Sequence, residues 1–265
     1  MECCEGEKRM ADKLELFAKK HIDGHAPGIR GKEVQAYRLA GVENDHECST
    51  AEEVLDKLRA GLHIYVREGS GAKNLETLIK TMLDAGVCLD RCAFCTDDKH
   101  VEEIRKEGHI STCIRKAIAL GVPVAKAYKM GSYQAAEFYG LKNYGAIGAG
   151  YRADIVFLDD LEQVRPLDVM KDGRILTEED YAKDYSVPVP DELLHTVHVG
   201  EVTKEKIRLS CDGKTDVIQM NPHQIVTTHL VEEVPTENGY FKSDGVYNKI
   251  CVVERHGTVS YTHLR

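Results

Sequence analysis

Two histidines flanked by carboxylates stand at matching points of the sequence. His25 lies in HIDGHAPG and His46 in VENDHEC, each at the end of a short predicted β-strand. A lone histidine at a strand end is most often a structural or surface residue. Two of them in neighbouring strand–helix units, both beside acidic residues, indicate a divalent metal site, because such ions bind imidazole and carboxylate groups. We therefore predict that His25 and His46 are metal ligands whose tautomers the acidic neighbours could fix.

A third candidate ligand is Asp97, which ends a later strand in RCAFCTDD. From the same edge of a sheet its carboxylate could reach the metal and also carry a proton as general base and then acid. A structural role at the N-terminus of the following helix stays open for Asp97 and for Asp98.

Polar residues also end the strand in HIYVREGS. We predict that Arg67, Glu68 and Ser70 contact a polar planar substrate, the charged pair through charge-assisted hydrogen bonds. Glu68 is in addition a candidate catalytic residue. An ion pair inside the fold is an equally good interpretation of Arg67 and Glu68.

The cysteines of this region allow a different chemistry. Cys88, Cys92 and Cys95 have the C-x3-C-x2-C spacing of radical S-adenosylmethionine enzymes. Cluster binding needs all three sulfurs turned towards one point. Cys92 and Cys95 instead fall within a predicted strand and would face opposite sides of it. We expect buried thiols here, with Cys88 outside the strand, and keep the cluster as the less favoured alternative.

The elements that would position these residues alternate regularly. Up to about residue 139, helices alternate with short apolar strands, the first of them in HIDGHAPG, which predicts an α/β fold with a parallel sheet and its chemistry at the carboxyl ends of the strands. Residues 140–187 contain the strand ADIVFL and a hairpin turning at Asp172-Gly173, which predicts part of a small β-domain. Residues 188–265 alternate strands and turns.

The composition narrows the class of protein. The 265 residues are 42% hydrophobic, which supports a folded core. Their net charge of −9 argues against a nucleic-acid-binding protein, which would have a clustered basic face. We find no run of 18 apolar residues that would predict a membrane span. Nine cysteines without a signal peptide suggest reduced thiols, and we expect a cytoplasmic protein.

Several long stretches resemble the adenine deaminases of the amidohydrolase superfamily. The similarity is carried by HIDGHAPGIRGKEVQAYRLAGVENDHECSTAEEVLDKLRAGLHIYVREGSGAKNL, by FCTDDKHVEEIRKEGHI and by GAIGAGYRADIVFLDDL. It implies the C-terminal half of a metal-dependent (β/α)8 barrel in 1–139 and the return segment of the small β-domain in 140–187. Residues 188–265 would then be the start of the family's α+β C-terminal domain.

The resemblance also implies an activity and assigns roles. The reaction would be hydrolysis of adenine to hypoxanthine and ammonia, in purine salvage, by a homo-oligomeric full-length protein. The metal centre would be binuclear, with manganese or iron and zinc as a further possibility. His25 and His46 would be the ligands of strands five and six, and Asp97 the strand-eight residue that touches metal and shuttles the proton.

The sequence departs from this pattern at both ends. We find no H-x-H pair of the kind that supplies two ligands from strand one, and the expected strand-four glutamate would lie just before MECCEG. The last nine residues, GTVSYTHLR, do not match the family. We therefore expect a fragment that is inactive by itself. Another amidohydrolase reaction, on a cyclic amide or amidine, is the alternative function.

Overall fold

The protein is described by a computed structural model that covers residues 7–184, 186–253 and 255. The expectations about MECCEG and GTVSYTHLR concern residues outside these ranges. The chain divides into two units, Met1–Tyr181 with Pro222–Ile225 and Ala182–Asn221 with Val226–Arg265. The domain boundaries after residues 139 and 187 stay predictions.

The first unit begins with an α/β region. Its elements are α1 (Lys8–Leu16), α2 (Lys32–Leu39), β1 (Asn44–Asp45), α3 (Ala51–Arg59), β2 (His63–Arg67), α4 (Leu75–Asp84), β3 (Cys92–Cys95), α5 (Val101–Glu107), α6 (Ile110–Ala119), α7 (Val124–Gly131) and α8 (Tyr133–Phe138). The strands form one parallel sheet in the order β1-β2-β3, with Asn44 opposite His63 and Ile64 opposite Cys92. The predicted α/β fold with a parallel sheet is confirmed.

The strand predicted in HIDGHAPG is wrong, because residues 21–26 form no strand. The amide of Glu43 donates to the carbonyl of Ile22, at 3.1 Å. In a parallel pair, the carbonyl of Glu43 would make the next hydrogen bond to the segment of residues 21–26. This carbonyl instead accepts from the amide of His63. The segment that carries His25 therefore lies beside β1 without a continued ladder.

The start of helix α3 is fixed by Thr50 at its N-cap and by Glu53 in its first turn. The Thr50 side chain accepts from the amide of Glu53, and the Glu53 carboxylate accepts from the amide of Thr50. This reciprocal pair satisfies two amides that the first helical turn leaves free. It fixes the start of the helix that follows His46.

Side chains of alternating strand residues separate the two faces of the sheet. Ile64, Val66, Cys92 and Phe94 belong to the main hydrophobic core, which also includes the buried face of α4. Burying each side chain of this size contributes about 1.5–3 kcal/mol. Tyr65 and Ala93 face the other way and pack with Phe138.

A small antiparallel sheet completes the first unit. It contains β4 (Ile155–Leu158), β5 (Pro166–Lys171) and β6 (Arg174–Ile175). Asp172 and Gly173 join β5 to β6 with φ angles of 51° and 79°, the left-handed pair of a two-residue hairpin turn. Both the strand and the turn match the prediction.

The remaining elements run to the C-terminal end of the described chain. They are α9 (Glu178–Ala182), α10 (Asp191–Leu194), β7 (Lys214–Met220), β8 (Thr227–Glu233), β9 (Thr236–Glu237) and β10 (Tyr240–Phe241). The strands β7 and β8 pair antiparallel, as do β9 and β10. Within the described residues, no helix combines the length and apolar character needed to cross a bilayer.

Candidate functional site

The two predicted histidine ligands lie side by side at the carboxyl end of the sheet. His46 follows β1 directly, and His25 belongs to the neighbouring irregular segment. Their ring centroids are 5.5 Å apart, with the ring planes inclined at 63°. The structure therefore brings together an imidazole from the irregular segment before α2 and one that directly follows β1.

A buried carboxylate that we had not predicted as a ligand completes this group. The Oε1 atom of Glu47 lies 3.2 Å from His25 Nδ1 and 3.1 Å from His46 Nε2. One donor atom from each of the three residues falls within 4.8 Å of the other two. Among the residues that the structure describes, this is the one group of three or more His, Cys, Asp or Glu side chains with such spacing.

Glu47 was not predicted as a ligand because, in a regular strand, the side chains of residues 46 and 47 would point to opposite faces. The chain leaves the extended conformation after Asp45, and residue 46 forms a bend. His46 and Glu47 can then reach the same point. The only indication in the sequence was that Glu47 directly follows His46, and other acidic residues lie equally near in VENDHEC.

Arg67 connects this group to Asp97. Its guanidinium donates to both oxygens of Glu47, at 2.7 and 3.1 Å, and to Oδ2 of Asp97 at 3.2 Å. The side chains of Arg67 and Glu47 are each 1% exposed, whereas that of Asp97 is 45% exposed. Asp97 thus approaches the histidine group through Arg67 and is not itself a member of the compact set. Arg67 thus forms ion pairs inside the fold with Glu47 and Asp97, and its predicted contact with a substrate stays a prediction.

The backbone of Asp97 turns sharply out of the strand. Its φ angle is 48°, in the left-handed region that aspartate tolerates better than most residues. This turn directs the carboxylate towards Arg67, while the next residue, Asp98, accepts a hydrogen bond from the amide of Gly71 at 2.8 Å. The two aspartates therefore do different things, and the helix after them has His100 at its N-cap.

The other predicted substrate residues have partners elsewhere. Glu68 accepts from Lys116 Nζ, at 2.6 Å, on helix α6. The Ser70 hydroxyl donates to Glu103 at 2.5 Å and accepts from the amide of His100 at 2.9 Å. The structure gives no support to a role for Glu68 or Ser70 beside the histidines, and both roles stay predictions.

Cys92 is buried, Cys95 is partly buried and Cys88 is exposed. Cys92 lies in the main core, and Cys95 packs against the opposite face with Ala93, while Cys88 lies outside the strand. Burial raises the pKa of Cys92 and of Cys95 to about 12. Cluster ligation requires thiolates turned to one point, so the geometry disfavours the iron–sulfur alternative.

The residues at the sheet edge fit a divalent cation. Protein nitrogen and oxygen ligands lie about 2.0–2.2 Å from such an ion, which places neighbouring donors about 3–4 Å from one another. The contacts of Glu47 Oε1 with His25 Nδ1 and His46 Nε2 are of that size. Two nitrogens and one carboxylate oxygen suit Zn, Mn or Fe better than Ca or Mg.

Comparison with known proteins gives the family. The model of the Amidohydrolase family matches residues 6–176. Adenine deaminase from Desulfitobacterium hafniense (strain Y51) is 40% identical over 251 residues, which are 94% of this chain and 44% of that protein. Adenine deaminase 2 from Carboxydothermus hydrogenoformans is 40% identical over 253 residues, with the same two shares. The chain thus spans a little under half the length of these curated relatives.

A solved structure adds evidence on the fold alone. N-acetyl-D-glucosamine-6-phosphate deacetylase from Mycobacterium smegmatis superimposes with a TM-score of 0.50 at 16% identity, over 63% of this chain and 51% of that one. The family match spans well over half of the chain, and the parallel sheet carries its polar residues at the carboxyl ends of the strands. The chain belongs to the amidohydrolase family.

Proposed function

We propose that the whole protein from which this sequence comes hydrolyses adenine to hypoxanthine and ammonia. The observation that carries this proposal is the 40% identity to adenine deaminases along 94% of the chain. It is supported by the cluster of His25, His46 and Glu47 at the sheet edge where the fold collects its chemistry. Adenine is a planar heterocycle whose amino group leaves as ammonia when water replaces it.

In this proposal, each residue of the site has a separate role in the reaction. His25 and His46, with Glu47, would hold a divalent cation, which when bound supplies Lewis-acid chemistry and makes water nucleophilic near neutral pH. Arg67 holds the Glu47 and Asp97 carboxylates at fixed positions. Asp97, the most exposed carboxylate of the network, takes a proton from the attacking water and passes it to the departing nitrogen. A C–O bond forms, the C–N bond breaks, and nitrogen leaves as ammonia.

The finer parts of the proposal rest on the resemblance. We propose a binuclear centre with manganese or iron, and zinc as a further possibility, in a cytoplasmic, homo-oligomeric enzyme of purine salvage. His25, His46 and Glu47, with Asp97 as a fourth candidate, are too few ligands for two ions, so further residues would have to complete the centre. For that reason we expect the 265-residue chain alone to release no ammonia from adenine.

The test compares three proteins encoded by the complete gene: wild type, Asp97→Asn and Asp98→Asn. Ammonia release from adenine is measured with added Mn²⁺, and bound metal is counted by elemental analysis. Removing the proton carrier should lower turnover by at least about 10²-fold with metal retained. Asp98→Asn is the matched control, since Asp98 contacts the amide of Gly71. Turnover of another cyclic amide or amidine but not of adenine would favour the alternative function.

A further inference from the structure

The segment that carries His25 is held almost entirely by side chains of other segments. The amide of Gly24 donates to Asn44 Oδ1 at 2.7 Å, and the amide of His25 donates to Tyr37 Oη at 2.8 Å. The amide of Ala26 donates to Asp45 Oδ1 at 2.9 Å. Residue 27 is proline, so these bonds account for every amide from 24 to 27. This is an unusual way to satisfy a run of backbone donors, which normally pair with backbone carbonyls.

One buried carboxylate joins this segment to the one that carries His46. Asp45 accepts from the amide of Ala26, next to His25, through one oxygen. Through the other it accepts from the amide of Glu47, next to His46, at 3.0 Å. The same aspartate therefore touches the backbone immediately beyond each histidine.

A buried lysine locks the aspartate in place. Lys57 Nζ donates to Asp45 Oδ2 at 2.9 Å and to the carbonyl of Ala26 at 2.7 Å. The side chains of both charged residues are fully buried, at 0% exposure. Since removing two charges from water is unfavourable, such a pair needs near-ideal geometry and satisfied neighbours, and it has both here.

A second anchor lies one helical turn away on α3. Glu53 Oε1 accepts from the amide of Gly28 at 2.5 Å, and its Oε2 accepts from the amides of Ser49 and Thr50, each at 3.0 Å. Burial alone would raise the pKa of Glu53, but the hydrogen bonds from the amides of Ser49 and Gly28 lower it below its ordinary value. Residues 53 and 57 of one helix thus fasten the loops of both histidines.

We propose that Asp45 and Lys57 are positioning residues that set the separation of the His25 and His46 nitrogens. Their link to metal binding rests on the proposed function. Their effect on the backbone of residues 22–28 does not, and it can be measured in the metal-free chain. Neither residue contacts an imidazole, so each acts only through the amides and the carbonyl beside the histidines.

The competing explanation is that this ion pair only stabilises the whole fold. Lys57→Met removes the charge and keeps much of the stem, and Leu78→Ala is the control, because Leu78 is a fully buried residue of α4 in the main core. Hydrogen exchange of the 265-residue chain is followed by mass spectrometry in peptides covering 22–29 and 62–68. Cobalt(II) binding is followed in parallel by its visible absorption, which depends on coordination number.

The proposal predicts a local effect. Lys57→Met should raise exchange at least tenfold in 22–29 while 62–68 keeps its protection, and should weaken cobalt binding tenfold or more with a changed spectrum. Leu78→Ala should not raise exchange in 22–29 above that in 62–68. If Lys57→Met raises exchange equally in both peptides, or leaves both exchange and cobalt affinity unchanged, the positioning role is wrong.

Two further outcomes separate this proposal from the function. If the wild-type chain binds no cobalt but Lys57→Met selectively raises exchange in 22–29, Asp45 and Lys57 do position this segment and the metal role of this chain is wrong. Should Lys57→Met not fold, Asp45→Asn keeps the size and places an amide donor beside Lys57. It should give the same selective exposure, and uniform exposure of both peptides would overturn the proposal.

Discussion

Replacing Arg67 by methionine should destabilise the protein strongly, because it leaves the buried carboxylate of Glu47 without its cationic partner. Glu47 is 1% exposed, and both its oxygens accept from the guanidinium. Removing one partner of a buried ion pair costs about 3–5 kcal/mol, since the remaining charge keeps its desolvation penalty. Arg67→Met should therefore lower the free energy of unfolding by about that amount.

The assay is urea unfolding of wild type, Arg67→Met and a control, Arg30→Met, at pH 7 with a chelator present. Arg30 is half-exposed and pairs with Asp56 at 3.1 Å. Exposed pairs of this kind contribute about 0–1 kcal/mol. Arg67→Met should therefore lower the free energy of unfolding several times more than Arg30→Met.

Divalent metal gives the same prediction a second readout. A cation held by His25, His46 and Glu47 would take over part of the charge compensation that Arg67 provides. Added Mn²⁺ or Zn²⁺ should therefore stabilise Arg67→Met more than wild type. An Arg67→Met variant within about 1 kcal/mol of wild type in the presence of chelator would refute the view that Glu47 is a buried anion.

Three other outcomes follow from the same region. Gly24→Ala should lower the thermal midpoint measured by circular dichroism, since its Cβ would lie 2.0 Å from the Asn44 carbonyl oxygen; an unchanged midpoint would contradict this packing. The lowered pKa of Glu53 means that its stabilising effect is complete above its ordinary value of 4.5 and is lost as the pH falls through the lowered value. The urea midpoint should accordingly drop below about pH 4.5 in wild type and less steeply in Glu53→Gln, and parallel curves would count against it. Purified protein should contain no acid-labile sulfide, and a stoichiometric amount would restore the cluster interpretation of Cys88, Cys92 and Cys95.

Local rules predicted what depends on neighbouring residues in the chain. The Asp172-Gly173 dipeptide predicted the hairpin turn, and the structure has that turn between β5 and β6. The meeting of His25 and His46 was predicted from two successive strand–helix units, and the two rings do lie side by side although the first of those strands is absent. These features need no knowledge of which residues are close across the fold.

What the sequence did not reveal depends on competition between partners. Residues 21–26 were predicted to form a strand, but the Glu43 carbonyl with which they would pair accepts from the amide of His63. The amides of Gly24 and Ala26 donate to side chains instead. Glu68 has a residue type suited to catalysis, but Lys116 from a distant helix pairs with it. Tertiary contacts decide which partner each of these groups has, and the hydrophobic periodicity of the sequence does not predict those contacts.

The fastening of two loops by one helix also restricts the length of the chain. Lys57 must face Asp45, and Glu53 must face Gly28, from the same side of α3. One residue inserted between Thr50 and Glu53 would rotate both side chains by about 100° around the helix axis, since a turn takes 3.6 residues. Insertions and deletions should thus be tolerated far less between residues 46 and 57 than at the exposed turn near Gly140, whatever residue types they introduce.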